Sequence, residues 1–244
     1  MKPLVSVIIP TYKRTKFLVK LLNNLITNNM NFKNFEIIIC DSDKTKINFL
    51  IIKNSQFGPG YARNKAIEKS KHEWLAFLDS DDVWHDDKLL KVSNKLKKNK
   101  KVNCIIHNEI YINRQNKRIY YDYTNMFSNN KSIFKQLFSQ NFLSPTSTCI
   151  KKSIVKKYKM FDTSLLNGQD YDLWLKMGNE LKILKIHLYL AYYYERKENI
   201  SSKPYLLRIK NILKIVNRYK KQVPKSAYFY KVIQLFISKE WFRI

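Results

Sequence analysis

The sequence predicts an α/β chain built on a Rossmann-like, mostly parallel sheet with helices on both faces, followed by a helical appendage at the C-terminus. Three observations predict it. Over the first ~110 residues, short β-branched runs alternate with segments whose apolar residues recur every three or four positions, the pattern of βαβ units. Three of those runs end on polar residues, at Thr11 to Arg14, at Asp41 and at Asp79 to Asp82. Beyond Pro204 the strand signals stop and two amphipathic helical stripes follow.

Leu4-Val5-Ser6-Val7-Ile8-Ile9 is a β-branched run stopped by Pro10, and so reads as a buried strand. Phe17, Leu18, Leu21, Leu22, Leu25 and Ile26 fall three and four apart and give an amphipathic helix for which Thr15 is a natural cap. Phe35 to Cys40 form a second strand ending on Asp41, and Phe49 to Ile52 a third. Gly58-Pro59-Gly60 leads into a helical pattern from Tyr61 to Ile67, with Arg63 in its first turns. A helix start beside a guanidinium suits an anionic ligand, although a Gly-Pro-Gly run is by itself only a turn signal.

Trp74 to Leu78 is the next strand, and it breaks abruptly into Asp79, Asp81 and Asp82. Three carboxylates in four positions repel one another unless a cation sits among them, and hard ions such as Mg2+ or Mn2+ prefer carboxylate oxygen. A solvated acidic turn capping the following helix would use the same residues, so this stretch alone leaves both readings open.

Leu89, Val92 and Leu96 mark that helix, whose lysines read as a solvated face. Val102 to Ile106 is a further strand, and Glu109 to Tyr123 a hairpin turning at Gln115-Asn116. Ile133, Phe134, Leu137 and Phe138 give a short helix, and Thr148 to Ile150 a short strand. Gly168-Gln169-Asp170-Tyr171-Asp172-Leu173-Trp174 is a glycine turn, an acid and a helix start; on its own, Asp170 reads as a residue favoured there by the helix dipole. In the tail, Leu206, Ile209, Leu213 and Val216 form one stripe, and Phe229, Val232, Ile233 and Phe236 another after Pro224.

Composition bounds the function. With 45% hydrophobic residues and few Gly or Pro, the chain is globular, not disordered. The 46 Lys and Arg against 19 Asp and Glu give a net charge of +27, which favours polyanions, nucleotide phosphates or anionic lipid. Cys40, Cys104 and Cys149 lie far apart in apolar runs and read as reduced, buried thiols. No apolar run approaches the ~20 residues that span a bilayer, and no leader precedes the first strand. The expectation is a cytoplasmic protein. Residues 203–244 carry eleven Lys or Arg and one acid, Glu240, so a peripheral place on the inner face of the cell membrane, through an anionic surface, belongs to the same expectation.

Four landmarks in order resemble the inverting glycosyltransferases of family 2, of GT-A fold: Val5 to Arg14, Asp41, Gly60-Tyr61-Ala62-Arg63-Asn64 and Phe77 to Asp82. The stretch Gly168 to Trp174 is similar to the family's acceptor-side acidic motif, so the resemblance covers roughly residues 3–200. It implies a nucleotide-binding set of Pro10, Thr11, Tyr12, Arg14, Asp41, Arg63 and Asp79, with Asp79 and Asp81 as the metal pair for Mn2+ or Mg2+. It also implies Asp170 as the general base, and an acceptor or sugar side among Asp82, Trp84, Gln169, Asp172, Trp174 and Arg196. The implied division is residues 1–110 for the nucleotide-sugar, 111–202 for the acceptor and 203–244 as basic amphipathic helices. The implied activity is metal-dependent inverting transfer of a hexosyl group from a nucleotide-sugar donor, a UDP-sugar, to a hydroxyl of a glycan or glycolipid. Lipooligosaccharide, capsule and lipid-linked oligosaccharide are acceptors of that kind.

The chain departs from the family pattern where Gln169 replaces a Glu, where Ser42-Asp43 follows Asp41, and where no His accompanies Arg196. A catalytically degenerate member is therefore one alternative. A sugar nucleotidyltransferase is another, but it needs a Gly-rich loop after the first strand, and Pro10 to Arg14 has no Gly. A nucleic-acid-binding protein would explain the charge and leave the acids at strand ends without a purpose, so no nucleic-acid partner is expected.

Overall fold

A computed structural model describes residues 5–11, 14–28, 35–41, 50–53, 58–196 and 204–237. In chain order the elements are β1 (Val5–Thr11), α1 (Thr15–Asn28), β2 (Phe35–Asp41), β3 (Leu50–Lys53), α2 (Gly58–Lys69), β4 (Trp74–Phe77) and β5 (Val83–Trp84). They continue with α3 (Lys88–Lys98), β6 (Cys104–Ile112), β7 (Arg118–Tyr121), α4 (Ile133–Ser139), β8 (Thr148–Lys151) and α5 (Lys152–Lys157). The last are α6 (Gln169–Met177), β9 (Ile183–Tyr194), α7 (Tyr205–Tyr219) and α8 (Lys225–Ile237).

The described strands form one sheet in the order β3-β2-β1-β4-β8-β6-β9-β5, with β7 pairing on β6. From β3 to β4 every pairing is parallel, as the βαβ spacing predicts. Beyond β4 the sheet is mixed. β8 lies antiparallel between β4 and β6, and β9 runs parallel to β6 with two register irregularities at Asn108. The expected hairpin is present, closed by an Asn113–Lys117 turn with Asn116 at φ 60°.

Alternation along β1 divides the core between the sheet's two faces. Val5, Val7 and Ile9 pack with Leu18, Leu22, Leu89 and Val92, while Ile8 packs on the other side with Phe77, Phe138, Leu173 and Trp174. Helices therefore cover both faces. The C-terminal helices join the second of these clusters through Ile209, Ile212, Ile215, Val216 and Tyr219 of α7 and Leu235 of α8. Burying one such aliphatic side chain contributes ~1.5–3 kcal/mol, so α7 is a packed layer of the molecule.

The seam between α7 and α6 explains one glycine. Gly168 sits at φ 72°, in the left-handed region, and a Cβ there would lie 2.6 Å from Ile212 Cδ1. Only Gly meets both conditions at low cost. Among the described residues no helix is long and apolar enough to cross a membrane.

Candidate active site

β1 and β4 deliver two of the three polar segments to the same edge of the sheet. The Leu78 N–H donates to the Ile8 carbonyl at 3.0 Å, so strand pairing runs up to the acids, and a turn closed by Asp82 N–H on the Asp79 carbonyl at 3.0 Å then folds them together. Beside β1, Asp41 stands level with Thr11 in the β1–β2 register. Pro10 and Thr11 end the strand; the Thr11 hydroxyl is buried and has no hydrogen-bond partner among the described residues. Tyr12 lies outside the described residues, as do Ser42 and Asp43.

Three guanidiniums reach Asp79 and Asp81. Arg63, buried on α2, places Nη2 2.6 Å from Asp79 Oδ1, and its Cζ lies 5.4 Å from the Phe161 ring centroid. Arg14 is ion-paired with the Asp81 carboxylate. Arg196 donates to the Asp81 carbonyl at 2.5 Å while its guanidinium lies over the rings of Phe17 and Tyr194. Burial, followed by repulsion from Asp79, raises the Asp81 pKa against the opposing pull of Arg14. Asp82 is held up further, by burial and then by Asp81 and Asp79.

These acids fit a divalent cation chemically. Their oxygens are hard donors, their mutual repulsion is only partly neutralised, and Asp82 Oδ1 is buried with no partner among the described residues. Asp79 and Asp81 would be the ligands. Among the described residues no group of three or more His, Cys, Asp or Glu is placed to hold a metal ion. Such an ion would draw its remaining ligands from a phosphate-bearing substrate and water, a common arrangement for Mg2+.

Asp170 joins this electrostatic neighbourhood from α6. Gly168 is the N-cap of α6, so Asp170 lies in the first turn, where helix N–H groups favour its charge. Burial raises its pKa first; Arg63 and the N–H groups of Tyr171 and Asp170 oppose this, and Asp79 adds to it. Asp170 is thus within electrostatic reach of both members of the Arg63–Asp79 pair. The arrangement brings a carboxylate able to take a proton beside cationic groups suited to a diphosphate.

Other expected site residues have partners within the fold. The Gln169 amide donates to the Leu165 carbonyl at 2.5 Å, and its Cδ would lie 3.2 Å from a Cβ at Gly60, so it packs the turn before α6 against the start of α2. An ionised Glu, which only accepts, could not make that bond. Asp172 is fully buried, paired with Arg218 of α7 at 3.0 Å and Lys176 at 3.2 Å, and accepts from the Tyr219 hydroxyl. Trp174 is enclosed in the core beside Phe77. Trp84 is likewise buried, with its indole N–H donated to the Thr146 carbonyl at 3.2 Å.

A buried polar network beneath the acids was invisible to the sequence reading. Thr146 donates to Asp82 Oδ2 at 2.5 Å, and the Thr146 carbonyl accepts from Lys88 Nζ at 2.5 Å. Lys88 is wholly buried, with Nζ 3.7 Å from the Trp84 ring centroid; burial lowers its pKa to about 8. Glu109 accepts from Ser144 and Tyr123 at 2.7 and 3.0 Å, and burial pushes its pKa up to about 7. The one available signal was position: Lys88 stands four residues before Val92, on the apolar face of α3.

A family model described as glycosyl transferase family 2 matches residues 6–159. An uncharacterized glycosyltransferase, MJ1057 of Methanocaldococcus jannaschii, is 29% identical over 253 residues, covering 95% of this chain and 85% of its own. The amylovoran biosynthesis glycosyltransferase AmsB of Erwinia amylovora is 28% identical over 191 residues; the match covers 70% of this chain and 62% of that protein. WfaP of Escherichia coli, named as a UDP-Glc:alpha-D-GlcNAc-diphosphoundecaprenol beta-1,3-glucosyltransferase, is 27% identical over 87% of this chain and 86% of its own. Among solved structures, S. aureus TarS 1-349 in complex with UDP-GlcNAc superposes with a TM-score of 0.66 at 17% identity, over 96% of this chain and 71% of that one. The mannosyltransferase PcManGT of Pyrobaculum calidifontis, in complex with GDP-Man and Mn2+, does so at 0.67 and 14% identity, over 99% and 72%.

Proposed function

Because this chain belongs to glycosyl transferase family 2, whose model matches residues 6–159, we propose that it transfers a hexosyl group from a UDP-sugar to a hydroxyl of a lipid-linked or surface glycan, with inversion. The observation that carries the proposal is the gathering of Asp79, Asp81, Arg63 and Asp170 from three separate elements into one electrostatic neighbourhood. The names of similar proteins support the donor and acceptor classes: TarS in complex with UDP-GlcNAc, and WfaP as a UDP-Glc transferase acting on a diphosphoundecaprenol-linked sugar.

In this mechanism Pro10, Thr11, Arg14, Asp41 and Arg63 bind the nucleotide, and Asp79 and Asp81 would hold a divalent cation. A bound Mn2+ or Mg2+ supplies Lewis-acid stabilisation of the leaving diphosphate, worth several kcal/mol in the transition state. Arg63 and Arg14 add fixed positive charge at the same place. The acceptor oxygen attacks the anomeric carbon from the face opposite the diphosphate, and the bond to the diphosphate breaks with its electron pair leaving on oxygen. Asp170 takes the proton of the acceptor hydroxyl. Its first-turn position on α6 keeps part of its charge stabilised even though burial favours the neutral form. A general base so placed typically contributes ~10^2 to 10^4 in rate.

Release of nucleotide from a panel of UDP-, GDP-, CMP- and dTDP-sugars, with and without Mn2+, tests the proposal. Metal-dependent turnover or tight binding of a UDP-sugar is expected. The absence of both for every UDP-sugar, with the protein folded, would reject the donor assignment, and their absence across the whole panel would favour the degenerate reading.

A further inference from the structure

α8 turns a stripe of large apolar side chains outward. Phe229, Tyr230, Ile233, Phe236 and Ile237 are 60%, 66%, 55%, 56% and 77% exposed. Their spacing of three and four places them on one helix face. The opposite face is anchored: Leu235 is buried in the core, and Lys231 donates to the Ser139 carbonyl at 2.8 Å with Nζ 5.6 Å from the Tyr171 ring centroid. Held in this way, α8 cannot roll to hide the stripe without giving up its seat on α4 and α6.

We infer that this face of α8 rests on an anionic bilayer surface, with the apolar stripe at the acyl boundary and the neighbouring lysines against lipid phosphates. Charge selects this occupant. Residues 204–237 contain eight Lys or Arg and no Asp or Glu, and Lys220, Lys221 and Lys225 are exposed just ahead of the stripe. A second copy packing this face with the two α8 helices parallel would set these cations against one another, and an antiparallel copy would leave them without an anionic partner. An anionic surface neutralises them, at ~1 kcal/mol for each Lys or Arg near it. The stripe from Phe229 to Ile237 is ~12 Å long at ~1.5 Å per residue, far short of the ~30 Å hydrocarbon core, so the helix lies in the interface. Helices of this kind bury their apolar face ~5–10 Å into the boundary. The inference deepens the proposed reading by giving a lipid-linked acceptor a place to meet the enzyme. It rests on that reading for its purpose only, since the binding itself needs neither donor nor acceptor.

The test is flotation of the full chain with vesicles of phosphatidylcholine alone, or with about 30% phosphatidylglycerol, at about 0.1 M and 0.5 M salt. Binding to the anionic vesicles at low salt is expected, weakened at least ~10-fold by high salt. The exposed-face variant F229S/I233S/F236S should bind at least ~10-fold more weakly while keeping the wild-type melting temperature. The variant K220E/K221E/K225E should lose the preference for anionic lipid. Failure of the wild-type chain to float with anionic vesicles at low salt, or undiminished flotation of the serine variant, overturns the inference. So does a wild-type dimer in light scattering that the serine variant breaks, if no vesicles are bound. Because none of these readouts involves turnover, loss of membrane binding and failure of the donor assay are separate results.

Discussion

Arg63 Nη2 stands 2.6 Å from Asp79 Oδ1, joining the first turns of α2 to the acids that follow β4. Asp79 is a third exposed on its side chain, whereas Arg63 is nearly buried, so the guanidinium is the fixed partner and the carboxylate the accessible one. A fixed cation beside accessible acids is suited to exchanging one anionic partner for another. It follows that substitutions in this small group should separate metal binding, nucleotide binding and proton transfer.

Asp81→Ala should remove metal-dependent nucleotide binding. Calorimetry with UDP and Mn2+ is expected to show an affinity at least ~10-fold weaker, and donor turnover should fall by ~10^2 or more, the usual scale of a lost electrostatic contribution. Arg14 keeps its positive charge when its Asp81 partner is lost, so weak metal-independent nucleotide binding should remain.

Asp170→Asn should lower transfer to an acceptor by ~10^2 to 10^4 while leaving UDP affinity within a fewfold of wild type. The amide fits the same space, which keeps the first turn of α6 intact. An unchanged transfer rate would remove Asp170 from the role of base.

Gly168→Ala should destabilise the fold by about 2 kcal/mol or more, since a left-handed φ of 72° costs ~1–2 kcal/mol and the new Cβ meets Ile212 Cδ1 at 2.6 Å. For a chain of this size that is a fall of roughly 4–8 °C in melting temperature. Differential scanning calorimetry gives the number directly.

Arg218→Met should cost about 2–3 kcal/mol, because Asp172 is fully buried and its guanidinium partner at 3.0 Å is lost. The figure lies below the ~3–5 kcal/mol of a broken buried pair, since Arg218 is a third exposed and Lys176 still faces Asp172. The same change removes the pairing of Arg218 with Asp162 at 2.5 Å. Chemical denaturation of the two proteins side by side measures the difference.

Lys231 supplies a pH signature, because burial lowers its pKa to about 6. Between about 6 and the ordinary value of ~10.4 the unfolded chain carries a proton there that the native chain lacks, so this residue makes stability rise with pH across that window. Denaturation midpoints for Lys231→Met, measured from pH 6 to 10, should lose that rise relative to wild type. Equal slopes would mean that Lys231 stays charged in the fold.

Much of the sheet was legible because its strands are short, β-branched and stopped by polar residues. β1, β2, β4 and the amphipathic helices α1 and α3 follow directly from period and punctuation. β9 was not found, although at twelve residues it is the longest strand. Its burial does not alternate, its register on β6 slips twice near Asn108, and Lys185, His187 and the run Tyr192 to Tyr194 blur the period of two. In the site, the acids and Arg63 were legible as charges where a strand or helix ends. Lys88 was not, because lysine is expected in water and only its exact helical phase marks it as buried. Asp172 and Trp174 were expected from the resemblance of Gly168 to Trp174 to an acidic motif, and what the sequence did not show is their packing, Asp172 against Arg218 of α7 and Trp174 in the core beside Phe77.

At Gly168 the turn before α6 meets Ile212 of α7 closely enough to leave no room for a Cβ. The consequence is mechanical. The last two described helices are in series with the helix that carries Asp170: α7 bears on the turn before it and α8 is pinned by Lys231 beside Tyr171 in its first turn. A truncation before Pro204 would remove the helices packed on that turn and on Tyr171, so they cannot be exchanged as an independent anchoring tag, and any load taken up by the outward face of α8 is delivered to the helix that carries Asp170.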